Sequence, residues 1–160
     1  QEAAGMGFDF FSIYGHHMPV GYAFPGKLWM AACDGSYSLE EIAAMQRCGV
    51  DVLEASIMPG TEYGQPLSLR DLLRYQSIVS HADLPVVVPT QRFIRPEELP
   101  ALAATGVKGL MIGAVVTGRT EDSIRRAVCA FRSAISSQHF PYRLFGNCRY
   151  SSVLRFLFQR

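Results

Sequence analysis

Short runs of apolar, β-branched and aromatic residues alternate along the chain with amphipathic stretches. The runs are mostly continuous in apolar character, which is typical of parallel strands that are covered on both faces. The amphipathic stretches between them have the spacing of helices. This alternation predicts β/α units around a parallel sheet. Five strands are expected, at residues 8–14, 28–33, 50–57, 84–89 and 107–115.

Four helices are predicted between and after these strands, because each amphipathic stretch carries start or stop signals. A serine, threonine or proline opens each stretch, as helix N-termini favour. Glu41 follows the first opening by three residues and completes a capping box, and Gly49 should end that helix. Pro100 should distort the first turn of the third helix. The expected starts are Ser38, Ser68, Pro96 and Thr120.

The same spacing predicts which helix residues face the sheet. Leu69, Leu72 and Leu73 are expected on the inner face of the second helix. The last helix carries one apolar stripe, formed by Ile124, Ala127, Val128, Phe131 and Ile135.

One connection does not fit the pattern. Only residues 16–27 separate the first two strands, whereas a parallel crossover needs a dozen or more residues and usually a helix. Either this crossover has lost its helix, or the two strands are not neighbours in the sheet.

Length and charge narrow the class of protein. The chain has 160 residues with a net charge of +1, so there is no clustered basic field, and we expect neither a nucleic-acid nor a membrane partner. No signal sequence or membrane-length apolar stretch is present, which predicts a cytoplasmic protein. Without a CxxC pair, we expect buried free thiols and no metal site at Cys33, Cys48, Cys129 and Cys148.

The expected architecture is a partial TIM-type (β/α)8 barrel at residues 1–135, followed by a basic, aromatic tail at residues 136–160. A full barrel takes roughly 200 to 250 residues, and the chain opens at Gln1 inside what reads as a helix end. We therefore expect the chain to be the later part of a longer protein, with an open sheet edge. The tail or a second copy of the chain, as a homodimer, could cover that edge. The tail itself could be a docking helix, a disordered end or a membrane-surface anchor.

Candidate site residues are chosen by position, because ligands of β/α barrels bind at the carboxyl ends of the strands. Residues 107–118 run from a strand into a small-residue turn before a helix, which favours an anion site, although a tight turn without a ligand is the alternative. Arg92, from the neighbouring loop, would suit a phosphate there. Asp34 follows the second strand and could hydrogen-bond a sugar hydroxyl or a lysine. His16 and His17 end the first strand, where we expect one packed and one exposed ring.

Glu54 has two possible roles, because alternation places it on one strand face with Val52 and Ser56. If that face points into the barrel, Glu54 is a buried carboxylate with a raised pKa and a plausible base. If it points towards the helices, Glu54 pairs with Arg70 or Arg74. The second, structural role is favoured.

Four segments resemble known motifs. Residues 31–41 are similar to an Ala-Asp-Ile-Ser-Thr-Xaa-Glu-Glu segment, and residues 49–61 to Gly-Ala-Asp-Ile-Val-Gly-Thr-Thr-Leu-Ser-Gly-Tyr-Thr. Residues 92–97 look like a Gly-Arg-Ile-Xaa-Thr-Pro-Glu loop, and residues 112–124 are similar to Val-Gly-Ser-Ala-Ile-Thr-Arg-Pro. Residues 28–135 thus resemble the C-terminal part of phosphate-binding (β/α)8 barrels, most closely the N-acetylmannosamine-6-phosphate 2-epimerase family. The resemblance implies that Arg92 and the amides of Gly113 and Ala114 hold a sugar phosphate.

The chain also departs from that family. Thr90 and Gln91 stand where the family has a glutamate, which takes part in the proton transfer, and a glycine, and neither Lys27 nor Lys108 matches the family's catalytic lysine. Two hypotheses follow. The first is an isomerase- or aldolase-like enzyme that acts on a phosphorylated sugar and needs no cofactor, most concretely an N-acylmannosamine-6-phosphate 2-epimerase. In it, Asp34 and Glu54 are the catalytic candidates, and Ser56 and Gln91 also contact the substrate. The second is an inactive barrel fragment or scaffold that retains an anion site.

Overall fold

The computed structural model describes residues 10–19 and 28–137. Five parallel strands form one sheet in the order β1-β2-β3-β4-β5, so each strand pairs with the next one along the chain. No pairing joins β5 back to β1 in the described part, and the sheet is open. The strands are β1 Phe10–Tyr14, β2 Leu28–Cys33, β3 Val52–Ala55, β4 Val86–Pro89 and β5 Gly109–Met111.

Five α-helices accompany the strands in the described residues, one more than the sequence pattern predicts. They are α1 Leu39–Ala44, α2 Leu69–His81, α3 Leu99–Ala104, α4 Ala114–Thr117 and α5 Glu121–Ser137. Four short 3₁₀ segments lie at Gly15–His17, Met45–Cys48, Gly60–Glu62 and Pro96–Glu98.

The predicted helix signals act as expected. Ser38 and Glu41 form the capping box of α1, and Ser68 and Asp71 form another at the start of α2. The 3₁₀ extension of α1 ends at Gly49, whose φ of 85° lies in the left-handed region that favours glycine. The third helix is distorted as predicted, because a 3₁₀ turn precedes α3 and Pro100 lies within its first turn.

The last strand is shorter than predicted. Residues 107–115 were expected to be one strand, but β5 holds only three residues, and α4 begins at Ala114. A short apolar run does not distinguish a strand from a helical turn by periodicity, and this turn follows the strand so closely that the two read as one run.

The inner face of α2 differs from the prediction. Leu72 packs against the core as predicted. Leu69 and Leu73, however, are 72% and 57% exposed, whereas Asp71, Tyr75 and Ile78 are buried. The helix is rotated so that Asp71 faces inward, where Arg92 pairs with it. This ion pair is a tertiary contact, so the hydrophobic pattern of the helix does not reveal it.

The first two strands are sheet neighbours, with Phe10 to Tyr14 in parallel register with Leu28 to Ala32. The alternative that these two strands are not neighbours in the sheet is therefore wrong. The other alternative is that their connection has lost its helix. It concerns residues 20–27, which lie outside the described residues. The tail beyond residue 137 also lies outside them, and α5 continues two residues past the predicted boundary at 135.

The two faces of the sheet carry different side chains. One face packs against the helices and forms the main core with residues such as Leu53, Val88, Tyr75 and Leu102. The opposite face carries a smaller apolar group, formed by Met30, Val52, Val87 and Met111. Strand alternation and the parallel register place Ser12, Tyr14, Glu54 and Ser56 on this second face.

The cysteines follow the prediction only in part. Cys33, Cys48 and Cys129 are all free, as expected, but only Cys33 is buried. Cys48 and Cys129 are exposed because they lie on the outward sides of a 3₁₀ turn and of α5. Cys148 falls outside the described residues. None of the helices in the described residues is long and apolar enough to cross a bilayer.

Candidate functional site

A hydrogen-bonded cluster of uncharged side chains joins the carboxyl ends of three strands. The Tyr14 hydroxyl lies 2.9 Å from Ser56 Oγ, and Gln91 Nε2 donates to the same oxygen at 2.9 Å. Tyr14 ends β1, Ser56 follows β3, and Gln91 lies in the loop after β4. The structure thus brings together two of the predicted substrate-contact residues, Ser56 and Gln91.

Gln91 is the centre of this cluster. Its side chain is buried, with 4% of the residue exposed. Its Oε1 accepts a hydrogen bond from the Met58 backbone amide at 3.0 Å, and its Nε2 also donates to the Tyr63 hydroxyl at 2.6 Å. Both ends of the amide are therefore held by protein groups, and its orientation is determined.

Glu54 lies on the same sheet face as this cluster, two residues before Ser56. Its carboxylate accepts a hydrogen bond from the Ser12 hydroxyl at 2.5 Å. The favoured expectation, a helix-facing Glu54 paired with Arg70 or Arg74, is wrong. The parallel register sets Glu54 beside Ala32 and Val87, which places it on the face away from the helices.

Arg92 belongs to a buried ion-pair cluster. Its guanidinium contacts both oxygens of Asp71, at 3.0 Å each, and it also pairs with the Glu62 carboxylate at 2.5 Å. It donates a further bond to the Glu62 backbone carbonyl at 3.2 Å. The side chains of Arg92 and Asp71 are 9% and 2% exposed, whereas that of Glu62 is 45% exposed. Arg92 therefore connects the loops after β3 and β4 to the first turn of α2.

The charges of this cluster stabilise one another. Burial raises the pKa of the Asp71 carboxyl, but hydrogen bonds from Arg92 and Ser68 outweigh it, and the resulting pKa is lowered. Burial alone would lower the pKa of Arg92, but hydrogen bonds to Asp71 and Glu62 raise it by more, so the resulting pKa is raised. Both groups are ionised at neutral pH. The positive charge that was expected to hold a phosphate already faces two carboxylates.

The predicted phosphate turn lies between β5 and α4. The Gly113 amide donates to Thr90 Oγ1 at 2.7 Å, so one of the two amides expected to bind phosphate has a protein acceptor. In the described part of the chain, no hydrogen bond engages the Ala114 amide. Thr90, at the position of the family's glutamate, thus holds the turn rather than carrying a charge.

Asp34 lines an open depression of about 380 Å³ together with His16, Ser36, Tyr37 and Glu41. The Ser36 hydroxyl and backbone amide both donate to Asp34 Oδ1, and these bonds lower the pKa of the Asp34 carboxyl.

The two histidines differ from the prediction. Both His16 and His17 are exposed, because β1 ends at Tyr14 and they lie in a 3₁₀ turn rather than on a strand. Their rings contact each other edge to face, with centroids 4.3 Å apart. No group of three or more metal-ligating side chains occurs among the residues that the structure describes.

Sequence reasoning missed three residues that shape this edge of the sheet. Asp71 and Glu62 were not identified as partners of Arg92, and Tyr63 was not identified as a partner of Gln91. The signal for Asp71 was its place three residues after Ser68, which is the capping-box position. Glu62 ends the 3₁₀ turn at Gly60–Glu62 and Tyr63 follows it, and nothing in the sequence pattern predicts the position of either side chain.

Comparison with known proteins bears on the fold. No protein family and no curated protein matches the sequence. Among solved structures, a thiamine phosphate pyrophosphorylase from Pyrococcus furiosus is similar, with 22% sequence identity and a TM-score of 0.56. The match covers 80% of this chain and 59% of that one, so the chain spans less than two thirds of its structural neighbour. The described residues therefore form a partial TIM-like α/β fold, with five parallel strands in a sheet that is not closed among them.

Proposed function

We propose that this chain binds a phosphorylated sugar at the carboxyl edge of its sheet and moves a proton at the carbon next to the sugar's carbonyl group. The most concrete reaction is 2-epimerisation of an N-acylmannosamine 6-phosphate. One observation carries the proposal: Glu54 and the Tyr14–Ser56–Gln91 cluster lie on one face at that edge. A carboxylate beside fixed polar groups is what proton transfer next to a carbonyl requires.

Each candidate residue has a role in this proposal. Glu54 takes the proton from the carbon, and the electrons of the broken C–H bond move towards the carbonyl oxygen. A proton from solvent water then returns to the opposite face of the same carbon, and Glu54 releases its own proton to solvent. Ser56 and Gln91 contact the carbonyl end of the sugar. Asp34, which is ionised at neutral pH, accepts from a sugar hydroxyl. The phosphate lies near the Ala114 amide.

The departures from the epimerase family are consistent with a displaced base. Thr90 and Gln91 stand where that family has its glutamate and glycine, and neither side chain is a base at neutral pH. Glu54 lies one strand away and supplies the missing carboxylate. The resemblance to the family supports the substrate class, and the fold comparison at 22% identity adds nothing to it.

The contacts of the phosphate candidates motivate a second candidate function, a barrel portion that binds anions weakly and does no chemistry. Arg92 is neutralised by Asp71 and Glu62, and the Gly113 amide is taken by Thr90. Two of the three groups expected to hold phosphate therefore already have protein partners.

Isotope exchange tests the proposal directly. The chain is incubated with N-acetylmannosamine 6-phosphate in D2O, and NMR follows loss of the proton on the carbon next to the carbonyl. Glu54→Gln should abolish this exchange, whereas Glu97→Gln, which changes an exposed glutamate near α3, should leave it intact. Exchange that survives in Glu54→Gln would refute the role of Glu54.

A thermal melt separates the two candidates. A ligand that binds only the folded state raises the unfolding midpoint. If N-acetylmannosamine 6-phosphate raises the midpoint more than inorganic phosphate does and is exchanged, the epimerase proposal holds. A midpoint that both ligands raise equally, without exchange, supports the anion-binding scaffold.

A further inference from the structure

We infer that Gln91 fixes the hydroxyl groups of Tyr14 and Tyr63 as hydrogen-bond donors, and that these donors bind the substrate's carbonyl oxygen and the negative charge it gains. Gln91 is thus a positioning residue, and the two tyrosines are the groups that touch the substrate. This inference rests on the proposed function, because it names the part of the phosphorylated sugar that this cluster recognises.

The orientation of the Gln91 amide follows from one contact. A backbone N–H can only donate, so the atom of Gln91 that faces the Met58 amide at 3.0 Å must be its oxygen. The NH2 group then faces the other way, towards Ser56 Oγ and the Tyr63 hydroxyl. Exchanging the oxygen and nitrogen of this amide would set two donors against each other at Met58. The amide orientation is therefore determined by chemistry as well as by shape.

The hydroxyl protons follow from the amide. The Tyr63 oxygen accepts from Gln91 Nε2, so its own proton must be donated elsewhere. Tyr63 is 45% exposed, which leaves that proton available to a bound molecule. In this way Gln91 makes Tyr63 a donor.

The same reasoning applies to the other branch of the cluster. Ser56 accepts from Gln91 and is only 5% exposed, so leaving its proton without an acceptor would be costly. Its hydroxyl therefore donates to the Tyr14 oxygen, 2.9 Å away. Tyr14 is half-buried, and because its oxygen accepts from Ser56, its own proton is left for a bound molecule.

The cluster thus offers donors to a ligand, and the donors are uncharged. The Tyr14 and Tyr63 oxygens are joined through Ser56 Oγ and Gln91 Nε2 by contacts of 2.9, 2.9 and 2.6 Å, which limits their separation to less than about 9 Å. The nearest buried cation in this loop, Arg92, is already paired with Asp71 and Glu62. Glu54 adds a carboxylate on the same face, which disfavours a permanent dianion such as phosphate.

A carbonyl oxygen fits these conditions better. It is neutral when the substrate binds, and it becomes negative when Glu54 takes the neighbouring proton and the C–H electrons form a carbon–carbon double bond. Neutral donors placed beforehand stabilise that charge as it develops. The two tyrosine hydroxyls would therefore act on the reaction rate more than on substrate affinity.

The test compares two phosphorylated ligands. A hydroxamate phosphate mimics the enolate, and the matching alditol phosphate has no carbonyl. Binding of each is measured by calorimetry for the wild type, Gln91→Glu and Tyr63→Phe. Gln65→Glu adds the same charge in the neighbouring exposed loop, and Tyr75→Phe removes a hydroxyl in the core on the helix side of the sheet, so these two variants are the matched controls.

We expect the wild type to prefer the hydroxamate, and this preference to fall by about 100-fold in Gln91→Glu, because a carboxylate turns the hydroxyls inward as donors to itself. Tyr63→Phe should lose about 10-fold of the preference, given that it removes one of the two donors. Affinity for the alditol phosphate should change little in Tyr63→Phe. In the isotope exchange, Tyr63→Phe should lower kcat and leave KM nearly unchanged. Both controls should keep the preference.

The outcomes are distinguishable. If the wild type binds neither ligand, the proposed function is overturned, and this inference falls with it. If the wild type binds both and exchanges its substrate, but Gln91→Glu and Tyr63→Phe keep the preference, then the inference alone is overturned. If Gln91→Glu fails to give a cooperative melt, Tyr63→Phe decides, because that side chain is half-exposed and its loss leaves the core intact.

Discussion

Replacing Arg92 with alanine should destabilise the fold by about 3 kcal/mol, because it leaves the Asp71 carboxylate buried without its cation. Removing one partner of a buried ion pair costs about 3–5 kcal/mol. The lower end applies here, since the Ser68 amide and hydroxyl still donate to Asp71, at 3.0 and 2.8 Å. The Glu62 carboxylate is 45% exposed, so its pair with Arg92 should add at most about 1 kcal/mol.

Urea unfolding measures this loss, and a double-mutant cycle divides it. Arg92→Ala is combined with Asp71→Asn in one cycle and with Glu62→Gln in a second. The coupling energy with Asp71 should be at least twice that with Glu62, because Asp71 is buried and Glu62 is not. A loss below about 1 kcal/mol in Arg92→Ala, or a larger coupling with Glu62, would refute the reasoning.

The same variant tests the role that the family resemblance implies for Arg92. A guanidinium that held a substrate phosphate would contribute about 1.5–3 kcal/mol to ligand affinity. The ion pairs predict instead that Arg92→Ala lowers stability in the absence of any ligand. If Arg92→Ala unfolds at the same temperature as the wild type but loses affinity for the sugar phosphate, the structural role is refuted and Arg92 binds the phosphate.

Three further predictions concern other parts of the fold. The pKa of Asp71 is lower in the folded state than its ordinary value of 3.8, so the Asp71 carboxylate stabilises the fold above that pH, and this stabilisation is lost as the pH falls through the folded pKa. In urea titrations at successive pH values, the free energy of unfolding of Asp71→Asn should therefore fall less with acid than that of the wild type. Burial, and then Asp34, raise the pKa of Cys33 to about 12, so peptide mapping after iodoacetamide treatment should find the exposed Cys129 alkylated and Cys33 unmodified. Gly106→Ala should lower the free energy of unfolding by about 1–3 kcal/mol more than Gly49→Ala in the same urea assay. Both glycines have positive φ, but a Cβ at Gly106 would lie 2.9 Å from a valine methyl of α2. Equal losses would show that this valine moves aside without cost.

Local signals in the sequence predict the elements of this fold well. Ser38 and Ser68 cap the first two α-helices as predicted, and the five strands lie within the predicted runs. These features depend on residues within a few positions of one another. Hydrogen-bond capping and apolar runs are local properties, so a single sequence suffices to predict them.

The orientation of side chains between elements is less predictable. Asp71 faces inward on α2 because Arg92, 21 residues further along the chain, neutralises it. Glu54 faces away from the helices because the strand register sets it there, whereas alternation alone leaves both faces possible. In both cases the deciding contact joins distant segments, and nothing in the local pattern encodes it.

The carboxyl edge of the sheet therefore contains two polar groups with different physical characters. Around Arg92, opposite charges neutralise each other and connect two loops to a helix. Removing one of these charged side chains should therefore lower the stability of the fold. Around Gln91, the polar atoms are neutral and their hydrogen bonds have one determined direction, which leaves donors at the accessible side. Because a site must retain unsatisfied groups to bind a ligand, the Gln91 cluster and the neighbouring Glu54 are the stronger location for chemistry. The arginine, which the sequence singled out first, is the better candidate for a structural role.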